Sequence, residues 1–279
     1  VGMGPFPDGV YRAQFPYLYR KPEGMTDKEY MDECVKSVYD VFENCSPAEY
    51  VAAIVMEPLQ GEGGFIPAPI EFVKAVRKIC DEKGILLIAD EVQSGFGRTG
   101  KLFASEYWKE NGCAPDIIAT AKSIAGGVPL SAVIASKEVM DAVPGGTIGG
   151  TYGGNALACA AGLEVLKLMD EGGLVKRSQE IGKKVMAAFN EMKEKYEVVG
   201  DVRGLGAMIG VEFVKDKKTK EPNPEFVGKF IQECAKNGLL VENAGIYGNV
   251  IRFLAPLVIT DAQLDAGLEI YENAIKACM

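Results

Sequence analysis

Short apolar runs alternate with longer segments of helical spacing in the N-terminal part of the chain. The apolar runs, each short enough to form one buried strand, are 51–56, 85–89, 116–119 and 131–136. Apolar residues recur with helical spacing over 27–44 and 69–83, and Gly84 follows the second segment as a helix C-cap. Strands that alternate with helices through short links predict an α/β domain with a mostly parallel sheet.

A different pattern follows residue 172. Helices are predicted over 155–171 and 173–194, and from Val198 onward shorter elements take over. These elements are a bent strand over 201–214, a helix over 223–236, short strands in 238–243 and 249–256, and a helix over 261–276. Thr260 and Gln263 have the spacing of a capping box for the last helix. We therefore expect part of a large domain over 1–172 and a small α+β domain over 173–279.

Composition narrows the classes of function. The 279 residues are 48% hydrophobic, which is enough for a sizeable core. The net charge of −9 argues against nucleic acid or an anionic membrane as the main partner. No apolar run approaches the roughly 20 residues of a membrane helix, and the opening VGMGPFPDG does not resemble a signal peptide. The seven cysteines are scattered and form no CxxC pair, which predicts a reducing, cytoplasmic setting.

The sequence contains no histidine. This excludes a Ser-His-Asp triad, a Cys-His pair and an HExxH metal site within these residues. Acid–base chemistry near neutral pH must therefore come from Lys, Glu, Asp, Tyr or Cys side chains, or from a cofactor.

Three polar residues come just after predicted strands: Glu57, Asp90 and Lys122. Ligands of parallel sheets bind at the carboxyl ends of the strands, so these side chains should converge on one rim. In IATAKSIAGGVPL, Lys122 is either a lysine that attacks a carbonyl to form a Schiff base or a paired or snorkelling lysine. Asp90 either caps the following turn or pairs with a cation such as a pyridinium nitrogen. Val92 would point the same way as Asp90 if the chain stays extended.

Further segments are weaker signals. Residues 95–101 nearly match a phosphate-binding P-loop, but Leu102 stands where a Ser or Thr should hold magnesium, so no ATP site is expected. The glycine-rich loop 145–155 is either a flexible link or a phosphate site that uses Thr151. Arg252, inside a predicted strand, either binds a substrate carboxylate or pairs with an acid such as Glu62.

These residues occur together in five segments: MEPLQGEGGF, LLIADEVQSGFGRTGKLFA, DIIATAKSIAGGVPLSAV, GGTYGGNALACAA and VIRFLAPL. The set resembles the class III (ω-) aminotransferases. Within that family, these segments are most similar in sequence to those of the 4-aminobutyrate (GABA) aminotransferases. The resemblance covers nearly the whole chain. It implies a fold type I enzyme that uses pyridoxal 5′-phosphate (PLP), with a mostly parallel large domain and a small α+β domain.

The resemblance also implies roles for single residues. Lys122 would be the Schiff-base lysine and proton shuttle, and Asp90 would pair with the pyridine nitrogen of the cofactor. Val92 would pack on one face of the ring, and Gln93 would bond the ring hydroxyl. Thr151 would reach the phosphate from the other subunit of a homodimer.

Substrate recognition is implied in the same way. Arg252 would bind the α-carboxylate of glutamate or 2-oxoglutarate and would fold back onto Glu62 when an ω-amine such as 4-aminobutyrate arrives. Glu57 would line the site near the substrate. The implied reaction moves an amino group from an ω-amino acid to 2-oxoglutarate. Acetylornithine or ornithine is the alternative amino donor.

Members of this family carry an N-terminal part that precedes the counterpart of Val1. It includes a small-residue turn that binds the cofactor phosphate and an aromatic-His-Gly-Arg segment, and neither is found in these 279 residues. If these residues act alone, weak cofactor affinity is expected. The competing hypothesis is a truncated, non-catalytic α/β protein that keeps the dimer surface but binds no cofactor.

Overall fold

The structure is a computed structural model that describes residues 4–147 and 149–279. The strands in these residues are β1 (Ala53–Met56), β2 (Leu59–Gln60), β3 (Ile66–Pro67), β4 (Leu86–Asp90), β5 (Ile117–Thr120), β6 (Ala132–Ala135), β7 (Val199–Leu205), β8 (Met208–Phe213), β9 (Glu242–Ala244) and β10 (Val250–Phe253). The helices are α1 (Asp27–Asn44), α2 (Ile70–Lys83), α3 (Glu106–Lys109), α4 (Lys137–Asp141), α5 (Ala156–Asp170), α6 (Leu174–Lys195), α7 (Pro224–Lys236) and α8 (Asp261–Cys278).

The first sheet has the strand order β1-β4-β5-β6. Strands β1, β4 and β5 are parallel, whereas β6 runs antiparallel to β5. The link between β5 and β6 contains a 3-10 turn at Lys122–Ala125 in place of a crossover helix, so the chain reverses direction. The predicted α/β class with a mostly parallel sheet is confirmed.

Helix α2 shows why the first core forms where it does. Its buried face carries Phe72, Val73 and Val76 at helical spacing, and the helix packs on β4. Gly84 ends the helix with φ of +68°, the left-handed conformation predicted for this position. Helix α1 spans the predicted residues and packs on α2, so both helices help to cover this sheet.

The second sheet is antiparallel, with the order β7-β8-β10-β9. The prediction of one bent strand over 201–214 is wrong, because β7 and β8 form a hairpin that turns at Gly206 and Ala207. Gly206 has φ of +52°, a left-handed conformation that allows the chain to reverse there. Every residue of β8 is buried, and helices α6, α7 and α8 cover the sheet. The predicted capping box at Thr260 and Gln263 is present.

The largest buried clusters belong to different sheets. One joins the second sheet to α6, α7 and α8, and the other joins the first sheet to α1 and α2. The division into domains at residues 172 and 173 stays a prediction. Among the described residues, none of the helices combines the length and apolar character needed to cross a membrane.

Candidate active site

The carboxyl ends of three neighbouring parallel strands carry the predicted polar residues. Glu57 follows β1, Asp90 is the last residue of β4, and Lys122 begins the turn after β5. Burial raises the pKa of the Glu57 carboxyl, and the charge of Asp90 adds to this rise. The charge of Lys122 and a hydrogen bond from the Gly61 N–H (2.8 Å) lower the same pKa. The three side chains therefore share one electrostatic environment at the rim of the sheet.

Asp90 is half-buried and caps the turn that follows it. Its Oδ1 accepts a hydrogen bond from the Val92 N–H at 3.0 Å, as Asp side chains do two residues before a backbone donor. The chain therefore turns at Asp90 and does not stay extended, so the alternation that would point Val92 and Asp90 the same way does not apply here. The second Asp90 oxygen is not used by this cap.

Lys122 lies in a strained position supported by α5. Its φ of +47° is uncommon for a residue with a side chain, and such strain concentrates at functional sites. Ile124 and Ala125 of the same turn are buried. Gly162 of α5 allows this approach, since a Cβ there would lie 3.3 Å from the Ile124 carbonyl oxygen.

The side chain of Lys122 is exposed. The turn lies on the open rim of the sheet, and the next link contains Gly126 and Gly127, which have no side chains to cover it. The exposure leaves the amine free to meet a ligand at the rim.

Glu62 joins two of the other predicted residues. Its Oε1 accepts hydrogen bonds from Arg252 Nη1 at 2.7 Å and from Gln93 Nε2 at 3.1 Å. Arg252 also contacts Glu242, and its Nε is buried without a partner among the described residues. The structure thus forms the Glu62–Arg252 pair that sequence reasoning gave as one of two alternatives for Arg252.

Gln93 lies against the loop that carries Glu62. Its Oε1 is buried and has no hydrogen-bond partner among the described residues. A Cβ at Gly61 would fall 1.9 Å from this oxygen, so glycine is what lets the amide lie there. An unpartnered buried acceptor is unfavourable and suits a ligand that brings a donor.

Thr151 is not brought into the cluster by this chain. It lies in an exposed turn before α5, whose first residues are capped by the Asn155 side chain. The role of Thr151 in a second copy of the chain stays a prediction.

Sequence reasoning missed Glu91, the residue beside Asp90. Glu91 is fully buried and its carboxylate accepts three hydrogen bonds. The donors are Ser94 Oγ at 2.6 Å, the Ala104 N–H at 3.1 Å and the Ser105 N–H at 2.5 Å. It therefore fixes the loop from 91 to 105, including Gln93. The sequence signal that could have indicated Glu91 is the pair of adjacent acids after an apolar strand.

A buried ion network was also missed. Glu212 of β8 is fully buried and contacts Arg203 Nη1 at 2.8 Å, Arg20 Nε at 2.7 Å and the Tyr17 hydroxyl. Burial raises the pKa of Tyr17 well above its ordinary value. Arg203 also donates to the Gly64 carbonyl at 2.6 and 3.1 Å, which ties the loop of Glu62 to the second sheet. Only charges within predicted strands could have indicated this network.

The donor set fits PLP at the ring end. The cofactor has a ring nitrogen that takes a proton, an aldehyde that takes an amine and a ring hydroxyl that donates. Asp90 offers a carboxylate, Lys122 an exposed amine and Gln93 an unpartnered buried oxygen. At the phosphate end, this chain offers Thr151 and the glycine-rich loop around it.

Comparisons with known proteins agree with this chemistry. Residues 1–275 match the family model described as Aminotransferase class-III. The chain is 47% identical to a probable 4-aminobutyrate aminotransferase of Bacillus subtilis (strain 168), over 99% of this chain and 63% of that protein. It is 47% identical to the 5-aminovalerate aminotransferase DavT of Pseudomonas putida, over 98% of this chain and 62% of that protein.

Among solved structures, the chain is similar to an amine transaminase from an uncultivated Pseudomonas species in its PLP-bound form. The TM-score is 0.89 at 33% identity, over 100% of this chain and 64% of that one. The chain therefore spans slightly less than two thirds of each of these relatives.

Proposed function

This chain belongs to the class III aminotransferase family, and we propose that it acts as a PLP-dependent aminotransferase on ω-amino acids. The amino group of a substrate such as 4-aminobutyrate or 5-aminovalerate would pass to 2-oxoglutarate. The single observation that carries this proposal is the meeting of Asp90, Lys122 and Glu57 at the rim of adjacent parallel strands.

The chemistry follows from the groups at this rim. PLP, when bound, supplies the aldehyde and the electron-withdrawing ring that amino transfer requires. Lys122 would hold the cofactor through its Nζ and would carry a proton at the same atom during amino transfer. The Asp90 carboxylate would hold a positive charge at the ring nitrogen. Gln93 would orient the ring through its unpartnered oxygen, and Val92 would pack on a ring face, a role that rests on the family resemblance alone.

The substrate class follows from Arg252, Glu62 and Glu57. With Glu62 on its Nη1 at 2.7 Å, Arg252 is neutralised and suits a substrate end that carries no carboxylate, as an ω-amine does. When Glu62 moves away, Arg252 offers a cation to the α-carboxylate of glutamate or 2-oxoglutarate. Glu57 lines the approach to the reacting carbon. The names of the two relatives support ω-amino acids as donors.

We also propose a homodimer in which Thr151 of one subunit reaches the cofactor phosphate of the other. The exposed turn of Thr151 and the adjacent apolar residues Tyr152 (85% exposed) and Leu157 (72% exposed) support a contact there. All seven cysteines are free, which supports a cytoplasmic location.

The test is the visible absorbance of the purified protein with added PLP, before and after borohydride, in wild type and Lys122→Ala. Wild type should show a yellow band that borohydride removes, leaving a pyridoxyl group on the peptide that contains Lys122. Lys122→Ala should show neither. Lys137→Ala, which removes another exposed lysine, is the matched control and should behave like wild type.

The formation of glutamate from 2-oxoglutarate is then measured with 4-aminobutyrate, 5-aminovalerate, ornithine and acetylornithine as amino donors. A band without transfer from any donor would leave PLP binding in place and refute the aminotransferase assignment. Absence of the band in wild type would instead support the non-catalytic alternative.

A further inference from the structure

The β9–β10 register places a second carboxylate on Arg252. Glu242 of β9 lies directly opposite Arg252 of β10 in the antiparallel pair. Opposite residues in such a pair have neighbouring side chains, so the contact follows from strand register. Strand β9 is the edge of its sheet, and the Glu242 side chain is 73% exposed.

The two carboxylates divide the guanidinium between them. Glu62 contacts Nη1 and Glu242 contacts Nη2, so each terminal nitrogen of Arg252 has its own acid. The Arg252 side chain is only 18% exposed, so few other approaches to its nitrogens are open. Two negative charges thus surround one positive charge.

This arrangement affects a substrate with an α-carboxylate and an ω-amino acid differently. When Glu62 moves away, Nη1 becomes free but Nη2 still contacts Glu242. An incoming α-carboxylate therefore binds through one nitrogen or displaces Glu242, and it meets a like charge in both cases. An ω-amino acid whose reacting end carries no carboxylate does not make this contact.

We propose that Glu242 is a specificity-determining residue that competes with the substrate α-carboxylate for Arg252. It weakens the binding of five-carbon dicarboxylates and leaves the binding of ω-amino monocarboxylates unaffected. This inference rests on the proposed function for the role of Arg252, but its consequence for dicarboxylate binding can be measured without turnover.

The test is calorimetric binding of glutarate, a dicarboxylate with no amine or keto group, to wild type and Glu242→Gln. The amide keeps the shape of the side chain and removes its charge. Because the site is partly exposed, we expect Glu242→Gln to bind glutarate roughly threefold to tenfold more tightly. The matched control is Glu269→Gln on the exposed face of α8, which makes the same change of charge and should bind as wild type does.

Steady-state kinetics supply the second readout. In Glu242→Gln, KM for 2-oxoglutarate should fall by the same factor, and KM for 5-aminovalerate should stay unchanged. A purely structural effect would move both values together. Equal or weaker glutarate binding by Glu242→Gln, including no detectable binding by either protein, overturns the inference. Tighter glutarate binding in a protein that transfers no amino group would support Glu242 and refute the proposed function alone.

Discussion

Replacing Glu212 with Gln should destabilise the protein strongly, because Glu212 balances two cations at a buried position. The substitution keeps the side-chain shape and removes one negative charge. Arg20 and Arg203, whose side chains are 16% and 10% exposed, then face each other without the acid between them. Asp201 still contacts Arg203 Nη1 at 3.0 Å, so part of the compensation survives.

The magnitude follows from the burial of the pair. Removing one partner of a buried ion pair costs about 3–5 kcal/mol, and the remaining Asp201 contact argues for about 3 kcal/mol. The m-value in urea is about 3 kcal/mol/M for a chain of this size. Dividing the loss of about 3 kcal/mol by this slope gives a fall of about 1 M in the urea midpoint. The assay is urea unfolding followed by far-UV circular dichroism.

Glu221→Gln provides the matched control. Glu221 also pairs with a cation, Lys215 at 2.6 Å, but both side chains are more than half exposed (58% and 51%). Its midpoint should remain within error of wild type. A Glu212→Gln midpoint equal to or above that of wild type would show that the buried network adds no net stability, and the reasoning from burial would be refuted.

Two further predictions concern stability. Glu272 accepts from Lys195, which lowers the pKa of Glu272 to about 2. The advantage of wild type over Glu272→Gln should therefore be complete above about pH 4.5 and disappear as pH falls toward 2; an advantage that grows on acidification would contradict this. For backbone effects, Gly228→Ala on the exposed face of α7 should raise the free energy of unfolding by about 0.5–1 kcal/mol. Gly206→Ala should lower it, because its Cβ would lie 2.4 Å from the Thr99 backbone; equal effects would refute the argument.

Local signals in the sequence predicted most of the elements. Apolar spacing located α1 with the bounds that the structure shows, and Gly84 marked the end of α2. The alternation of elements also predicted that Glu57, Asp90 and Lys122 would meet at one rim. These inferences succeeded because helix periodicity, capping and strand-end placement depend on residues near each other in sequence.

The hairpin and the direction of β6 were harder to predict. Residues 201–214 form one mainly apolar run with three glycines and three scattered charges, so periodicity does not reveal the reversal at Gly206. The antiparallel course of β6 depends on the short turn at Lys122, which replaces a crossover helix. Strand direction is decided by the length and shape of the link and by pairing across the sheet.

The sequence by itself determined the α/β class, the absence of histidine within these 279 residues and the acids and lysine that they offer. Only the tertiary structure decided which charges meet. Glu62 and Arg252 are 190 positions apart, and Glu212 meets Arg20 across 192 positions. The contact of Glu242 with Arg252 likewise depends on the β9–β10 register. Pairing between distant charges is set by packing and strand register, and neither leaves a periodic trace in the chain.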